Sequence, residues 1–413
     1  MNALDFAIYA LALPGHAALC IAGINRIQAE PVSHRFLKLI SWPARFAALL
    51  GPLFVVLAIL FPDRSPNLAL VQRPLDASYP WLWAVYVGVC VVVALWLLPR
   101  WLLWSVRHQR EQLTDHLSSQ RHNLSFTARG HRPGWKMRLL SRLPGNQIYQ
   151  LDITEKSLPL PRLDPELDGL SIAHLSDLHL TGEISERYFD EVVRRTNELQ
   201  SDLIVISGDV VDKLRCLDWI PRTLAHLRAK HGVYYVLGNH DIRTDQRAIA
   251  RALDNVGFIS LSGRWHALEI NGRAVLLAGN ELPWIRPAAD PNEYPVDEVG
   301  DDESRPLRIC VAHSPDQYAW AQRYGFDLML AGHTHGGQIR FPLVGAIVAP
   351  SRFGPRYASG TYYEGATVMH VSRGISGDMP IRWNCPPELA SLTLRSRIRP
   401  EWVNEAATVT AAD

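Results

Sequence analysis

Five times in the C-terminal half of this chain, a strand-length apolar run stops in front of an Asp, Asn or His. Leu170 to Leu175 ends at Ser176-Asp177, and Leu203 to Ser207 ends at Gly208-Asp209. Val233 to Leu237 ends at Gly238-Asn239, Arg308 to Ala312 at His313, and Asp327 to Ala331 at Gly332-His333. Short apolar runs bounded by turn residues read as buried strands. Ser185 to Leu199 has helical periodicity instead. Strand and helix patterns in alternation predict a layered α/β unit. In such sheets, ligands bind past the C-terminal ends of the strands, on loops held by a rigid scaffold. The glycines before Asp209, Asn239 and His333 permit tight turns there.

These loops read Asp177-Leu178-His179, Gly208-Asp209, Gly238-Asn239-His240-Asp241, Ala312-His313 and Gly332-His333-Thr334-His335. Carboxylates, imidazoles and an amide oxygen together suit hard or borderline divalent cations. Mn, Fe, Zn and Co fit this set, and Mg fits four imidazoles less well. Each residue alone has an ordinary explanation. His313 could be a core histidine, Asp177 and Asp241 helix caps, and Asn239 a turn residue. Their occurrence together, in order and at strand ends, has none.

The ordered string D-x-H, G-D-x-x-D, G-N-H-D, lone His and G-H-T-H resembles the calcineurin-like metallophosphoesterase superfamily, over about Gly169 to Leu394. The tail residues Gly336-Gly337-Gln338-Ile339, Arg373-Gly374, Pro380-Ile381-Arg382 and Cys385-Pro386-Pro387-Glu388 look like a bacterial membrane-associated phosphodiesterase branch. The resemblance implies an α/β/β/α sandwich and a dinuclear metal centre. One metal would be held by Asp177, His179 and His335, with Asp209 bridging to a second held by Asn239, His313 and His333. His240 would stand beside the leaving group, oriented by Asp241. That branch is often linked with lipid-type phosphoesters such as UDP-diacylglucosamine, which is the substrate class the resemblance implies. Elsewhere the superfamily holds protein phosphatases and cyclic-nucleotide phosphodiesterases, and a fold alone does not choose among them. A catalytically dead, metal-stabilised scaffold would be expected to carry degraded motifs, which are not seen. Asp212, which completes G-D-x-x-D, reads as a supporting partner. Arg340, Arg352, Arg356 and Arg382 are candidates for binding phosphate oxygens through a guanidinium fork.

The N-terminal part is of another kind. Phe6 to Ile24 and Tyr79 to Pro99 contain no charged residue, and Leu39 to Phe61 contains only Arg45. A helix needs roughly 20 apolar residues to cross a bilayer, so about three transmembrane helices are expected. Trp81, Trp83, Trp96, Trp101 and Trp104 lie where an interfacial aromatic belt would. A signal peptide is disfavoured, because no Lys or Arg precedes the first run and no clean cleavage site follows it. The spans contain no Asp, Glu or Lys to mark an ion path, which argues against a transporter. The basic stretch from Arg100 to Arg142 places the C-terminal part on the cytoplasmic side of a multi-pass cell-membrane protein by the positive-inside rule.

The expected organisation is a membrane region (1–104), a basic linker and extended lead-in (105–168), a catalytic domain (169–400) and a flexible tail (401–413). Lys plus Arg (42) and Asp plus Glu (41) nearly cancel. No global basic field therefore points to nucleic acid. The expected partners are a phosphoester substrate, lipid-linked or not, and a membrane. Five cysteines without a CxxC pair predict neither a disulfide framework nor a thiolate metal site.

Overall fold

The computed structural model describes residues 3–33, 36–37, 39–44, 46–48, 50, 53, 81–293, 305–342, 344–377 and 379–396. The chain divides into two units. One holds residues 1–110 and 342–356, and the other holds residues 111–341 and 357–413.

In the N-terminal unit, α1 spans Ala3–Gln28 and α2 spans Trp81–Asp115, its last residues passing into the second unit. Phe6–Gln28 is long and apolar enough to cross a membrane, by length and composition, and the apolar stretch Ala84–Arg100 is shorter. The expected span Leu39 to Phe61 lies in part outside the described residues, including all of 54–61. Gly15 lets α1 and α2 approach closely, since a Cβ there would overlap the Cys90 carbonyl. Small residues allow this kind of backbone contact between apolar helices. His16 bonds the Tyr86 hydroxyl and lies 2.9 Å from the Ala47 carbonyl, so its polar atoms are satisfied within the helices.

The second unit is built on two sheets. Strands β1 (His116–Asn123), β2 (Gln150–Pro159), β3 (Ser171–Leu175), β4 (Leu203–Ser207), β5 (Val233–Val236) and β6 (Ile259–Ser260) belong to the first. Strands β7 (Trp265–Ile270), β8 (Arg273–Asn280), β9 (Leu307–Ala312), β10 (Leu328–Ala331), β11 (Gly360–Glu364) and β12 (Thr367–Val371) form the second. The last strand, β13 (Glu388–Arg395), returns to the first sheet. Among the described residues the orders are β1-β2-β13-β3-β4-β5-β6 and β11-β12-β10-β9-β8-β7. The chain runs parallel through β3-β4-β5 and through β8-β9-β10-β12.

The two sheets pack face to face. Ile172, Val205 and Tyr234 from the first share one core with Leu277, Val311 and Leu330 from the second. Alternate residues of the first sheet, such as Ala173, Ile204 and Tyr235, face a core with α4 (Glu186–Glu198) and α5 (Asn239–Asn255). Buried on both faces, these strands read as continuous apolar runs without alternation. With α6 (Tyr318–Arg323) against the second sheet, the layers are α/β/β/α.

Two boundaries differ from the sequence reading. The lead-in before residue 169 is not a linker, because β2 pairs β13 over eight residues and β1 pairs β2. The β13 partner of β2 lies more than 200 residues further along the chain, as in the pair Asp152 and Glu388, so local pattern could not reveal it. Residues 342–356, expected within the catalytic domain, cluster instead with the N-terminal unit. There Asn25 accepts from the Ala349 amide at 3.1 Å, and Arg352 forms a two-pronged ion pair with Glu30 at 2.9 and 3.0 Å.

Candidate metal centre

All seven proposed ligands lie past the C-terminal ends of β3, β4, β5, β9 and β10. Asp177 (φ 52°), His179 (φ 45°), Asp209 (φ 55°), His333 (φ 70°) and His335 (φ 52°) all adopt left-handed backbone. That conformation costs a non-glycine residue on the order of 1 kcal/mol and is held only where surroundings enforce it. The curl aims Asp177 and His179, then His333 and His335, inward from the same short loops. Glycines supply the clearance. A Cβ on Gly238 would overlap Asp209 Oδ1, and one on Gly374 would stand 2.8 Å from Asp177 Cβ.

The donor atoms gather in two groups that share Asp209. Asp177, His179, Asp209 and His335 form the first group, and Asp209, His313 and His333 form the second. His335 Nε2 lies 3.1 Å from His179 Nε2 and 3.5 Å from Asp177 Oδ1. His313 Nε2 lies 3.3 Å from Asp209 Oδ2, 3.1 Å from Asn239 Oδ1 and 3.2 Å from His333 Nδ1. The structure therefore brings together every residue expected to ligate.

The distal nitrogens identify the ring tautomers. His313 Nδ1 donates to the Ser207 carbonyl at 2.8 Å, and His179 Nδ1 donates to Asp212 Oδ1 at 2.9 Å. Both Nε2 atoms thus turn lone pairs inward, against other acceptors. Acceptors that converge without a proton between them call for a cation, so this donor set fits divalent metal. Asn239 is informative here. With its oxygen facing His313 it presents an acceptor to the centre. Turned over, its NH2 would donate to His333 Nδ1 and His313 Nε2 at 3.0 and 3.1 Å, and its oxygen would accept from Arg243 at 3.1 and 3.2 Å. A cation favours the first orientation and its removal the second.

Charge shapes the ring protonation. Where no cation stands between these acceptors a proton takes its place: burial opposes charge on His179, but Asp212, Asp209 and Asp177 outweigh it and push the cation-free imidazole up to about 10. Burial likewise opposes charge on His313, which Asp209 lifts to about 9. Burial holds His333 and His335 well below the usual range, helped by neighbouring histidines.

His240 donates from Nδ1 to Asp212 Oδ2 at 3.1 Å, and its amide binds Asp209 Oδ1 at 2.8 Å. Its ring stands edge-on to His179, with centroids 4.7 Å apart, and is partly exposed. The carboxylate that orients His240 is thus Asp212, which also holds His179. Asp241, expected in that role, does something else. Its Oδ1 accepts from the Val210 and Val211 amides at 2.9 and 2.8 Å, and its Oδ2 from Gly238 at 2.9 Å. Both oxygens are occupied by backbone, pinning the loop after Asp209 to the start of α5. Burial and Asp209 push this carboxyl up to about 7.

Of the arginines considered for phosphate, Arg382 is buried and donates to the His335 and Arg373 carbonyls at 3.0 and 2.7 Å. Arg340 reaches Ser359 Oγ at 2.7 Å, and Arg352 and Arg356 lie in the N-terminal unit. Arg243, which lies against the Asn239 amide, gave no sequence signal.

Nor did a buried polar chain beneath it. Lys156 Nζ donates to His370 Nε2 and to Glu388 Oε1, each at 2.8 Å. His370 Nδ1 then donates to His174 Nδ1 at 2.9 Å, and His174 Nε2 donates to Ser207 Oγ at 2.9 Å. Ser207 in turn holds His313. Only His174, a histidine inside a buried-strand pattern, could have signalled this.

Residues 170–337 match the family model for calcineurin-like phosphoesterases. They form a calcineurin-like phosphoesterase domain. Metal-dependent phosphoester hydrolysis is the chemistry of that family. The chain is 29% identical over 261 residues to the uncharacterized metallophosphoesterase YkuE of Bacillus subtilis (strain 168), covering 60% of this chain and 87% of that protein. It is 29% identical over 228 residues to the phosphodiesterase YaeI of Escherichia coli (strain K12), covering 54% and 81%. A Bos taurus transmembrane protein with a metallophosphoesterase domain is 30% identical over 261 residues, covering 59% and 57%.

Proposed function

We propose that this phosphoesterase is membrane-anchored, works with two divalent cations and cleaves a lipid-linked phosphoester or pyrophosphate. The observation that carries the dinuclear reading is the sharing of Asp209. Its Oδ2 lies 3.6 Å from His179 Nε2 in one donor group and 3.3 Å from His313 Nε2 in the other. A bridging carboxylate keeps two like charges close, roughly 3.5–4 Å apart in such sites. When bound, a metal pair supplies a hydroxide nucleophile near neutral pH and neutralises phosphate oxygens.

The protein's own groups do the rest. Asp177, His179 and His335 would hold one cation, and Asn239, His313 and His333 the other, with Asp209 shared. Asp212 fixes the His240 ring through Nδ1. Nε2 is then left to hold a proton for the departing oxygen, a role worth typically 10²–10⁴-fold. Arg243 brings a positive fork to the Asn239 side, where an anionic substrate would sit.

Membrane anchoring is supported by the apolar helix Phe6–Gln28 and by the name of the Bos taurus relative. Anchoring concentrates the enzyme at the surface where lipid-linked phosphates reside. The basic stretch from Arg100 to Arg142 supports a cytoplasmic catalytic unit.

The test is hydrolysis of a chromogenic phosphodiester, a phosphomonoester and a lipid-linked pyrophosphate by the full chain in detergent, with Mn²⁺, Zn²⁺ or Mg²⁺. Metal-dependent turnover that favours the lipid-linked compound and disappears in Asp209→Asn is the expected result. Turnover independent of metal, or unchanged in Asp209→Asn, would refute the assignment. A preference for the water-soluble esters would refute only the substrate class.

A further inference from the structure

Residues 116–149 contain Arg121, Arg129, Arg132, Lys136, Arg138 and Arg142 and no Asp or Glu. Arg121 is paired with Asp152 at 2.7 Å. The other five are exposed, and among the described residues none of them makes an ion pair. The same segment exposes large apolar side chains. Phe126 is 51% exposed, Trp135 64%, Leu139 60% and Leu143 42%.

This exposure is organised. In α3 (Trp135–Leu140) the buried side chain is Met137. Trp135 and Leu139 lie four residues apart on another face, and Arg138 and Arg142 continue it. Lys136 Nζ rests 5.8 Å from the centre of the Trp135 ring. The patch also adjoins the wall of the metal centre. Asn146 donates to the carbonyls of Leu140 and Pro380 at 2.8 and 2.9 Å, and the Gln147 amide donates to Arg382, whose guanidinium holds His335.

Trp135 and Leu139, exposed together on one helix face beside cations, mark a surface made to meet a partner. Aromatic and aliphatic side chains interleaved with unpaired cations match the interface of an anionic bilayer. A nucleic acid would use the cations and rings but gains nothing from Leu139 and Leu143. Connectivity agrees. α2, with its apolar stretch Ala84–Arg100, runs directly into β1, so only the eight residues of β1 precede the patch.

We infer that this patch is a bilayer-contact surface, which lays the catalytic unit on anionic headgroups through Trp135, Leu139 and the five unpaired cations. Each basic side chain near such a surface strengthens binding about fivefold at ordinary salt. The contact does not depend on which phosphoester is cleaved.

The test uses the full chain in lipid nanodiscs, with a bimane probe on Leu139→Cys and nitroxide-labelled lipid as quencher. The native cysteines are corrected for by treating the unsubstituted chain in parallel. Quenching should be strong in discs doped with phosphatidylglycerol and weak in phosphatidylcholine alone. It should be lost at about 1 M salt, where the screening length is about 3 Å. It should also be lost in the charge-reversed variant R129E/K136E/R138E/R142E, with melting temperature and bound metal unchanged. A probe on Trp135→Cys should repeat the pattern if the Leu139 variant misfolds. Equal quenching in both lipids, or quenching that survives charge reversal, would overturn the inference. So would a probe shielded by RNA or a soluble protein and not by anionic lipid. None of these readings involves hydrolysis, so this inference and the proposed reaction can fail separately.

Discussion

At the scale of single residues, the two aspartates beside His240 are the informative pair. Asp212 touches two imidazoles, one a candidate ligand and one the candidate acid. Its replacement by Asn should lower metal affinity by roughly 10–100-fold, as loss of a ligand's hydrogen-bond partner commonly does. Metal titration followed by isothermal calorimetry would show it, with little change in melting temperature. Asp241 accepts three backbone amides and touches no ring by hydrogen bond. Asp241→Ala should therefore cost about 2–4 kcal/mol of stability, since buried amides lose their acceptor. Chemical denaturation checks this. The motif signalled both aspartates as important, but a motif carries no direction for a side chain. Gly238 makes the same point, because its lack of a Cβ admits Asp209 Oδ1. Gly238→Ala should abolish metal binding while the sheets still form, checked by metal content alongside circular dichroism.

At the scale of elements, the buried chain Lys156–His370–His174–Ser207 joins β2, β12, β3 and β4 under the metal centre. His174 is neutral there. Burial, with Lys156 adding to it against the pull of Glu388, drives its pKa down to about 4. The unfolded chain binds a proton near pH 6.5 and the folded chain does not until about pH 4. The stability that His174 contributes is therefore full above pH 6.5 and falls as the pH drops towards 4. His174→Gln should flatten that fall, by on the order of 3 kcal/mol. Denaturation at pH 7.5 and about pH 4.5, read by hydrogen exchange of β3 and β4, tests the sign. Glu388, whose carboxylate also meets Lys156 and Arg373, makes breaking the pair costly. Lys156→Met should destabilise by about 1–3 kcal/mol, because Glu388 and His370 each lose a buried donor while Arg373 still faces the carboxylate.

At the scale of the whole molecule, the catalytic unit begins near Glu111, well before residue 169. A fragment starting at 169 would lack β2 and strip β13 of one neighbour. Its folding should fail, whereas a fragment starting at 111 retains the full first sheet. Soluble yield and a cooperative melt distinguish the two. Likewise, 342–356 leaves the catalytic unit for the N-terminal one through Asn25 and Glu30. Glu30→Ala should loosen that segment, seen as faster hydrogen exchange around Arg352, without altering metal content.

The sequence by itself determined five of the parallel strands and what stands at their ends. Strands buried on both faces must be apolar throughout, and a polar donor can follow only where the strand stops. That local rule located β3, β4, β5, β9 and β10 to within a residue or two, and with them every candidate ligand. Tertiary structure decided what depends on pairing at a distance. It set β1 and β2 beside β13, gave Asp212 and not Asp241 to His240, and placed Lys156 under His174. Each of these joins segments tens to hundreds of residues apart, and hydrogen bonds across such separations leave no periodicity in the chain.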